Sequence, residues 1–441
     1  EVFSCHLWKF IQKMLNYSLE KGGVIELWLG PTHSAYVMTD PDDSLTLANE
    51  CFNKSYFYDF GKEFLHNGLL TAEASTWKIH RKLLNPAFNQ QVLNTFVYEI
   101  NVQARSLVSE LASEVGKEPF EVRKYFVSYT LKTVSRTSLG LDAEDQTMID
   151  KDFAEAFDDL LAIIVERGQK VWLHLSFMFN WSTLKCVCLV GNCLVDIYVQ
   201  IAWKNLIPRC RIFYDIMPLF KPVLDQLLQL AEEQDAFTDD DIREHLDTLV
   251  VASYDTTSAA MTYLLLLIGS FQDIQEKMIQ EVLERDDADL TKQDLQKLVY
   301  LEAVIKETLR LYTVIPWVAR KVDTDIQLKN YTLRAGNTCI LGLHGLNRHP
   351  MWGADAEKFR PERWLDAATL PDNPNVFAAF GVGRRNCIGK SYGMMVMKTA
   401  LAHILRRYYV TSDISTLESE FGIIMVPVSG NLISLTLRTQ I

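Results

Sequence analysis

The sequence has little of what marks several large protein classes. It lacks a basic excess: 44 lysines and arginines face 56 aspartates and glutamates, a net charge of −12. A nucleic-acid binder neutralises phosphates with a basic face, so no nucleic acid is expected as a partner, and small or apolar partners are. It lacks paired cysteines. The eight, at positions 5, 51, 186, 188, 193, 210, 339 and 387, form no C-x-x-C knuckle and no regular spacing. That excludes a zinc ribbon and a disulfide scaffold and points to a reducing compartment, where the sequons at Asn16, Asn53, Asn180 and Asn330 stay unused. Cys186, Cys188 and Cys193 lie close together, yet no histidine follows at finger spacing. No run of 18 clean apolar residues occurs. The nearest, LKCVCLVGNCLVDIYVQIAWK (184–204), sets Asn192, Asp196, Gln200 and Lys204 on one helical stripe, which suits a helix lying on a membrane or capping an apolar cavity rather than a spanning one. The sequence opens at Glu1 without methionine or a signal-peptide pattern, so a missing N-terminal anchor is expected.

What is present is a core. Hydrophobic residues make up 48% of the 441 positions, with no repeat and no low-complexity tract. VIELWLGPTHSAYVMTDP reads as a hairpin around Gly-Pro, and from Thr76 to about Leu301 the pattern is helical. Residues 239–269 form a proline-free run that begins with acids and ends at glycine, long and apolar enough to cross the centre of the molecule. DIQEKMIQEVLER and KQDLQKLVYLEAVIKETLRLY predict two more helices. Strand-like pieces follow at VARKV, IQLKNYTLRAG and TCILGLHGL, then a last helix over 389–406 and a C-terminal strand pair ending in LISLTL. The fold class expected is mainly α with a small β annex.

One stretch carries chemistry. In FAAFGVGRRNCIGKSYG (377–393), Gly381, Gly383 and Gly389 permit a tight backbone around Cys387. The helix after it offers unpaired N–H groups and a positive dipole end to the sulfur, a setting expected to lower a thiol pKa. A thiolate held there serves as a nucleophile or a metal ligand. A nucleophile needs a base, and no histidine is near in sequence, so the ligand reading is the stronger.

Phe380-Gly-Val-Gly-Arg-Arg-Asn-Cys387-Ile-Gly389 matches F-x-x-G-x-R-x-C-x-G, the haem-binding signature of the cytochrome P450 family. KETLR, with Glu307 and Arg310 one helical turn apart, resembles that family's E-x-x-R; FRPERW supplies Arg363, and WKIHR places Trp77 and Arg81 as in its W-x-x-x-R. The four motifs fall in the family's order from about residue 25 onward. The resemblance implies one catalytic domain over 1–441, of cytochrome P450 fold with the long helix over the haem. It implies haem b with Cys387 as axial metal ligand, a cofactor-binding set of Trp77, Arg81, Arg320, Phe380, Arg385, Cys387 and Gly389, and a structural cluster of Glu307, Arg310 and Arg363. A thiolate axial ligand favours O–O cleavage, and arginine forks suit propionates.

VVASYDTTS resembles the family's A-G-x-D/E-T-T, which makes Asp255 and Thr256 the acid and alcohol of a proton relay; a hydroxyl simply back-bonded to the preceding turn is the bland alternative. Ser253 stands where the family has glycine. The nearest resemblance is to the clan of fatty-acid ω-hydroxylases and many insect enzymes; in many of the ω-hydroxylases a glutamate aligned with Ala252 forms an ester with the haem, which alanine cannot, and this implies non-covalent haem and a wider pocket. Residues 181–218 depart most from the family.

The expected activity is monooxygenation of an apolar small molecule, a fatty acid, hormone, semiochemical or xenobiotic. Electrons come from NADPH through a flavoprotein reductase, with cytochrome b5 as a further partner, at the cytosolic face of the endoplasmic reticulum membrane. WKIHRK, GRRNCIGK, Lys398, Arg406 and Arg407 are expected to form a basic patch that steers the acidic donor. Two alternatives remain: a haem-thiolate isomerase or dehydratase, and an inactive haem-binding protein.

Overall fold

The long helix expected over 239–269 is Asp239–Ser270 in the computed structural model, which describes residues 2–28, 34–141, 151–185, 187–188, 220–284 and 289–438. Its start is a reciprocal capping box. The Thr238 hydroxyl accepts from the Asp241 N–H at 3.1 Å and the Asp241 carboxylate accepts from the Thr238 N–H at 3.0 Å, beside three acids that favour the positive end of the helix dipole. From Tyr254 to Gly269 nearly every side chain is buried, as a helix apolar all round must be. Its far end meets strand Tyr408–Ser412. At Gly269 any Cβ would come within 2.7 Å of the Ser412 hydroxyl, so glycine is what allows the approach.

Around this helix pack Arg123–Val134, Val299–Leu311, Gln272–Leu283 and Lys390–Arg407, the last lying also on Gln90–Leu111. Buried polar side chains fix these contacts. The Asn101 amide oxygen accepts from Leu290 N–H at 2.9 Å and is 2.8 Å from His403 Nε2, while its NH2 donates to the Val97 and Leu290 carbonyls. Gln275 pairs with Val410 through both its amide groups, tying the helices to the C-terminal sheet.

The sheets are small and to one side. A four-stranded sheet runs Val24–Trp28, Ser34–Met38, Thr338–Leu341, Val318–Lys321, with the first pair the expected hairpin and the central pair parallel. The expected C-terminal strand pair is Tyr408–Ser412 with Leu432–Leu437, which takes Phe120–Glu121 on its other edge, while Met425–Ser429 pairs with Glu418–Phe421. The helix expected through KQDLQKLVYLEAVIKETLRLY is instead two, Lys292–Lys297 and Val299–Leu311. Leu298 is non-helical, and the Glu281 carboxylate accepts from both the Tyr300 and Leu301 N–H groups, capping the second helix from a neighbouring one. A cap supplied from nineteen residues upstream leaves no local mark.

Helix Ala74–Leu84, which carries Trp77 and Arg81, docks on the long helix through a buried histidine pair. His245 Nε2 lies 2.8 Å from His80 Nδ1, both rings edge-on to Phe237. Burial, then the neighbouring His80, pulls His245 down to about 4, with Asp241 opposing; burial lowers His80 as well, again against Asp241. The folded state therefore binds fewer protons than the unfolded one between pH 6.5 and 4. Stability from this pair is complete above about pH 6.5 and falls on acidification, by on the order of 3 kcal/mol at pH 4. Urea unfolding between pH 7 and pH 4 should show a pH slope that flattens in His245→Leu; an unchanged slope would contradict the pair's role.

Candidate haem-thiolate site

The Cys387 loop is built from backbone geometry. Gly381 and Gly383 have φ of 77° and 70°, which L side chains rarely adopt, and a Cβ at Gly383 would also strike Ala48 at 2.6 Å. The Cys387 N–H donates to the Phe380 carbonyl at 2.8 Å, and Gly389 caps helix Lys390–Arg407 directly after the sulfur. The thiol is accessible, yet its surroundings desolvate it. Burial raises its pKa above the usual thiol value, as the largest effect; a Gly389 N–H hydrogen bond and the charges of Arg81 and Lys390 pull the other way. The expected lowering is thus outweighed in the thiol as it stands, since desolvation penalises an anion more than a helix start and two surface cations favour it.

Behind the loop, Glu307, Arg310 and Arg363 are brought together and fully buried. Arg310 donates to both Glu307 oxygens, from Nε at 2.9 Å and Nη2 at 2.8 Å, and Arg363 Nε donates to Oε1 at 2.9 Å. The Trp364 indole donates to Oε2 at 3.0 Å and the Arg360 N–H to Oε1 at 3.1 Å, so the carboxylate is saturated. Asp355 balances the second arginine. The cluster reaches the cysteine loop by two routes. Arg310 donates to the Asn347 carbonyl, whose side chain accepts from Ala378 N–H at 2.8 Å, and Trp364 packs on Phe377, which meets Phe380.

A second cationic group forms on the other side of the loop, where segment 52–58 meets strand Val318–Lys321 and Arg385. Arg385 donates to the Phe52 and Ala72 carbonyls, both at 2.6 Å, and lies 4.8 Å over the Trp77 ring, which stacks on Phe52. Arg320 is buried, donates to the Ala319 carbonyl and leaves its Nε without a partner. Lys54, half-buried, pairs backbone with Arg320 across an isolated bridge. Among the described residues no carboxylate pairs with any of the three. Arg81 is committed elsewhere: its Nη1 and Nη2 donate to the carbonyl and side chain of Asn386, at 2.8 and 3.2 Å, and its Nε to Asn85. It thereby clamps the residue before Cys387.

On the long helix, the Thr256 hydroxyl donates to the Ala252 carbonyl at 2.7 Å, the back-bonded arrangement. Asp255 is buried and accepts from Arg123 Nη2 at 2.7 Å; burial raises its pKa and Arg123 opposes. Arg123 lies 3.9 Å from Asp158, a second carboxyl that burial, then Asp255, pushes up to about 6. Neither Arg123 nor Asp158 has a sequence signal, since helices Arg123–Val134 and Lys151–Gln169 meet the long helix only in the fold.

Two expectations need correction or fall outside view. Lys398 does not belong to a basic surface: it is buried, donating to the Leu295 carbonyl at 2.7 Å and pairing with Glu302 at 2.6 Å, because that helix face packs inward. Cys186, Cys193 and most of 184–204 lie outside the described residues, as does most of 181–218; Cys188 is buried beside Glu63 and pushed up to about 11 by desolvation.

Removing the Glu307 charge leaves the buried Arg310 with no carboxylate among the described residues and Arg363 with Asp355 alone, at 3.4 Å. Glu307→Ala should lose on the order of 3–5 kcal/mol. The expected readout is little soluble haem-loaded protein and an early thermal transition; normal haem content and melting would contradict a structural role.

Comparison with known proteins agrees with this geometry. The cytochrome P450 family model matches residues 2–433. The chain is similar to mouse cytochrome P450 4V2, 31% identical over 92% of this chain and 80% of that protein. It is also similar to cytochrome P450 4c21 of Blattella germanica, 28% identical over 92% and 84% respectively. A third relative is the probable cytochrome P450 4s3 of Drosophila melanogaster, 30% identical over 89% and 81%. A thiol loop and buried charge cluster of this form, with a family match over nearly the whole sequence, make this chain a member of the cytochrome P450 family, the haem-thiolate monooxygenases.

Proposed function

We propose that this chain, as one catalytic domain, oxygenates an apolar small molecule with electrons relayed from NADPH by a flavoprotein reductase, at a membrane surface. The observation that carries the reading is the pairing of an accessible Cys387 thiol with a neighbouring cation cluster that no carboxylate among the described residues answers. A haem b fits that set: an iron to take the sulfur, and two propionates to answer Arg320 and Arg385. When bound, the haem supplies oxygen activation, and the rest is work for this chain's own residues.

Cys387 must carry its charge as a ligand, and the Gly389 N–H, Arg81 and Lys390 favour that thiolate. Asn386, clamped by Arg81, holds the loop, and Phe380 fixes its other strand through the Cys387 N–H. Asp255, with its pKa raised by burial, is suited to take and release a proton while Arg123 orients it. Thr256 hands a proton on once its hydroxyl turns from the Ala252 carbonyl. Ala252 offers no carboxyl for an ester, so non-covalent haem and a roomier pocket are part of the reading, with bulkier or less regioselectively oxidised substrates.

Membrane contact is supported by a cluster of exposed apolar residues on 172–181, with Trp172 57% exposed, Leu175 64%, Phe177 67% and Trp181 84%. Among the described residues no helix is long and apolar enough to cross a membrane. Cytochrome b5 and the endoplasmic reticulum belong to the same proposal.

NADPH-dependent oxygen consumption by the protein with a reductase, measured with product formed from a fatty-acid panel, tests it and excludes an isomerase. Thr256→Ala should keep NADPH oxidation going while product per NADPH falls severalfold and peroxide rises. An unchanged ratio would contradict the relay, and substrate turnover without oxygen uptake would contradict the monooxygenase reading.

A further inference from the structure

The long helix places one polar side chain where no protein group answers it. Tyr254, beside Asp255, is wholly buried, and its hydroxyl has no hydrogen-bond partner among the described residues. Its ring lies edge-on to Phe157 at 6.1 Å and its carbonyl accepts from the Thr130 hydroxyl at 3.1 Å, so it is wedged between helices Lys151–Gln169 and Arg123–Val134. Asp255, Asp158 and Arg123 stand in the same corner, each close enough to act electrostatically on that hydroxyl. Arg123 Nε is a second buried atom there without a partner. Two orphaned polar groups beside two carboxyls are a setting that holds buried water. Exposure rises along the group, from the buried Asp255 through a partly covered Arg123 to a half-exposed Asp158, so the arginine spans from the relay acid to one that reaches solvent.

We propose that Asp158 is the solvent-side end of the proton supply to Asp255, passing protons through water held by the Tyr254 hydroxyl while Arg123 keeps the two carboxyls in place. The assignment rests on the relay reading above and adds its entrance; Asp158 acts through Asp255 and is a positioning residue, not a catalytic one. Arginine does not give up its proton, so Arg123 is a bridge in position only. Tyr254, its acidity suppressed by burial, offers a hydroxyl that turns to donate or accept without ionising. The step balances: the Asp158 carboxyl releases a proton to water, water passes one to the Asp255 carboxylate, and solvent returns one to Asp158. At 3.9 Å from Arg123 the Asp158 carboxyl is too far for a hydrogen bond, which leaves its oxygens for water. Asp255 and Tyr254 face it from the long helix and Arg123 from helix Arg123–Val134. Burial and then Asp255 push it up to about 6, Arg123 opposes, and Asp159 and Glu155 on its own helix add to the rise.

The test measures the solvent deuterium isotope effect on product formation by the holoprotein with its reductase, and the infrared carboxyl C=O band of the resting protein, which needs no turnover. Asp158→Asn should slow product formation about tenfold and raise the isotope effect about twofold, Asp158→Glu should recover the rate to within about threefold, and the exposed Asp159→Asn should match wild type. Wild-type protein should show a protonated-carboxyl band that disappears as the pH rises through about 6, and Asp158→Asn should lack it. Tyr254→Phe, which differs only by the hydroxyl, should raise the isotope effect and keep that band, and it serves alone if the asparagine variant does not accumulate. Wild-type isotope effects in the Asp158 and Tyr254 variants would overturn the assignment, as would a slower rate with an unchanged isotope effect, which marks a structural role only. Wild-type protein that takes up no oxygen with NADPH would instead sink the monooxygenase reading itself, and this assignment with it.

Discussion

Buried positive charge must be answered by negative charge, and two clusters of this molecule meet that constraint in opposite ways. Around Glu307 the protein supplies its own anion: one carboxylate takes five donors from Arg310, Arg363, Trp364 and Arg360 and is closed off from water. Around Arg320 and Arg385 it supplies none among the described residues. The first cluster is complete as protein and can act as a fixed support. The second leaves desolvated cations that an anionic group from outside would stabilise.

The cysteine loop lies between these two clusters and is held by both. From the compensated side it receives position, through Asn347 to Ala378 and through the Trp364, Phe377 and Phe380 rings. From the cationic side it receives charge, through Arg81 on Asn386 and the electrostatic pull on the Cys387 sulfur. Burial outweighs that pull in the thiol as it stands, so a metal cation would have to supply the rest for the sulfur to serve as a thiolate. The same logic recurs on the long helix, where Arg123 sits between Asp255 and Asp158 and opposes the rise in pKa of both carboxyls.

Much of this was legible in the sequence because it is local. Cys387 with its glycines, Glu307 one turn before Arg310, and the capped apolar run over 239–270 each leave a pattern within a dozen residues. What could not be read depends on which distant faces meet. Lys54, Arg123 and Asp158 look like ordinary surface residues until helices and strands far apart in sequence are packed. Lys398 looked like a surface cation because the Glu302 and Leu295 that bury it belong to other helices. The bond from Arg81 to Asn386 left no mark in the sequence, since it spans 305 positions. The break at Leu298 escaped for the same reason, its cap being Glu281.

Everything above turns on the Cys387 sulfur being the haem ligand, and the reduced carbon-monoxide difference spectrum reads that bond directly. Wild-type protein should show the strongly red-shifted Soret band of a thiolate-ligated haem, Cys387→Ser should lose it, and Cys188→Ser should keep it. A red-shifted band that survives in Cys387→Ser would contradict the assignment.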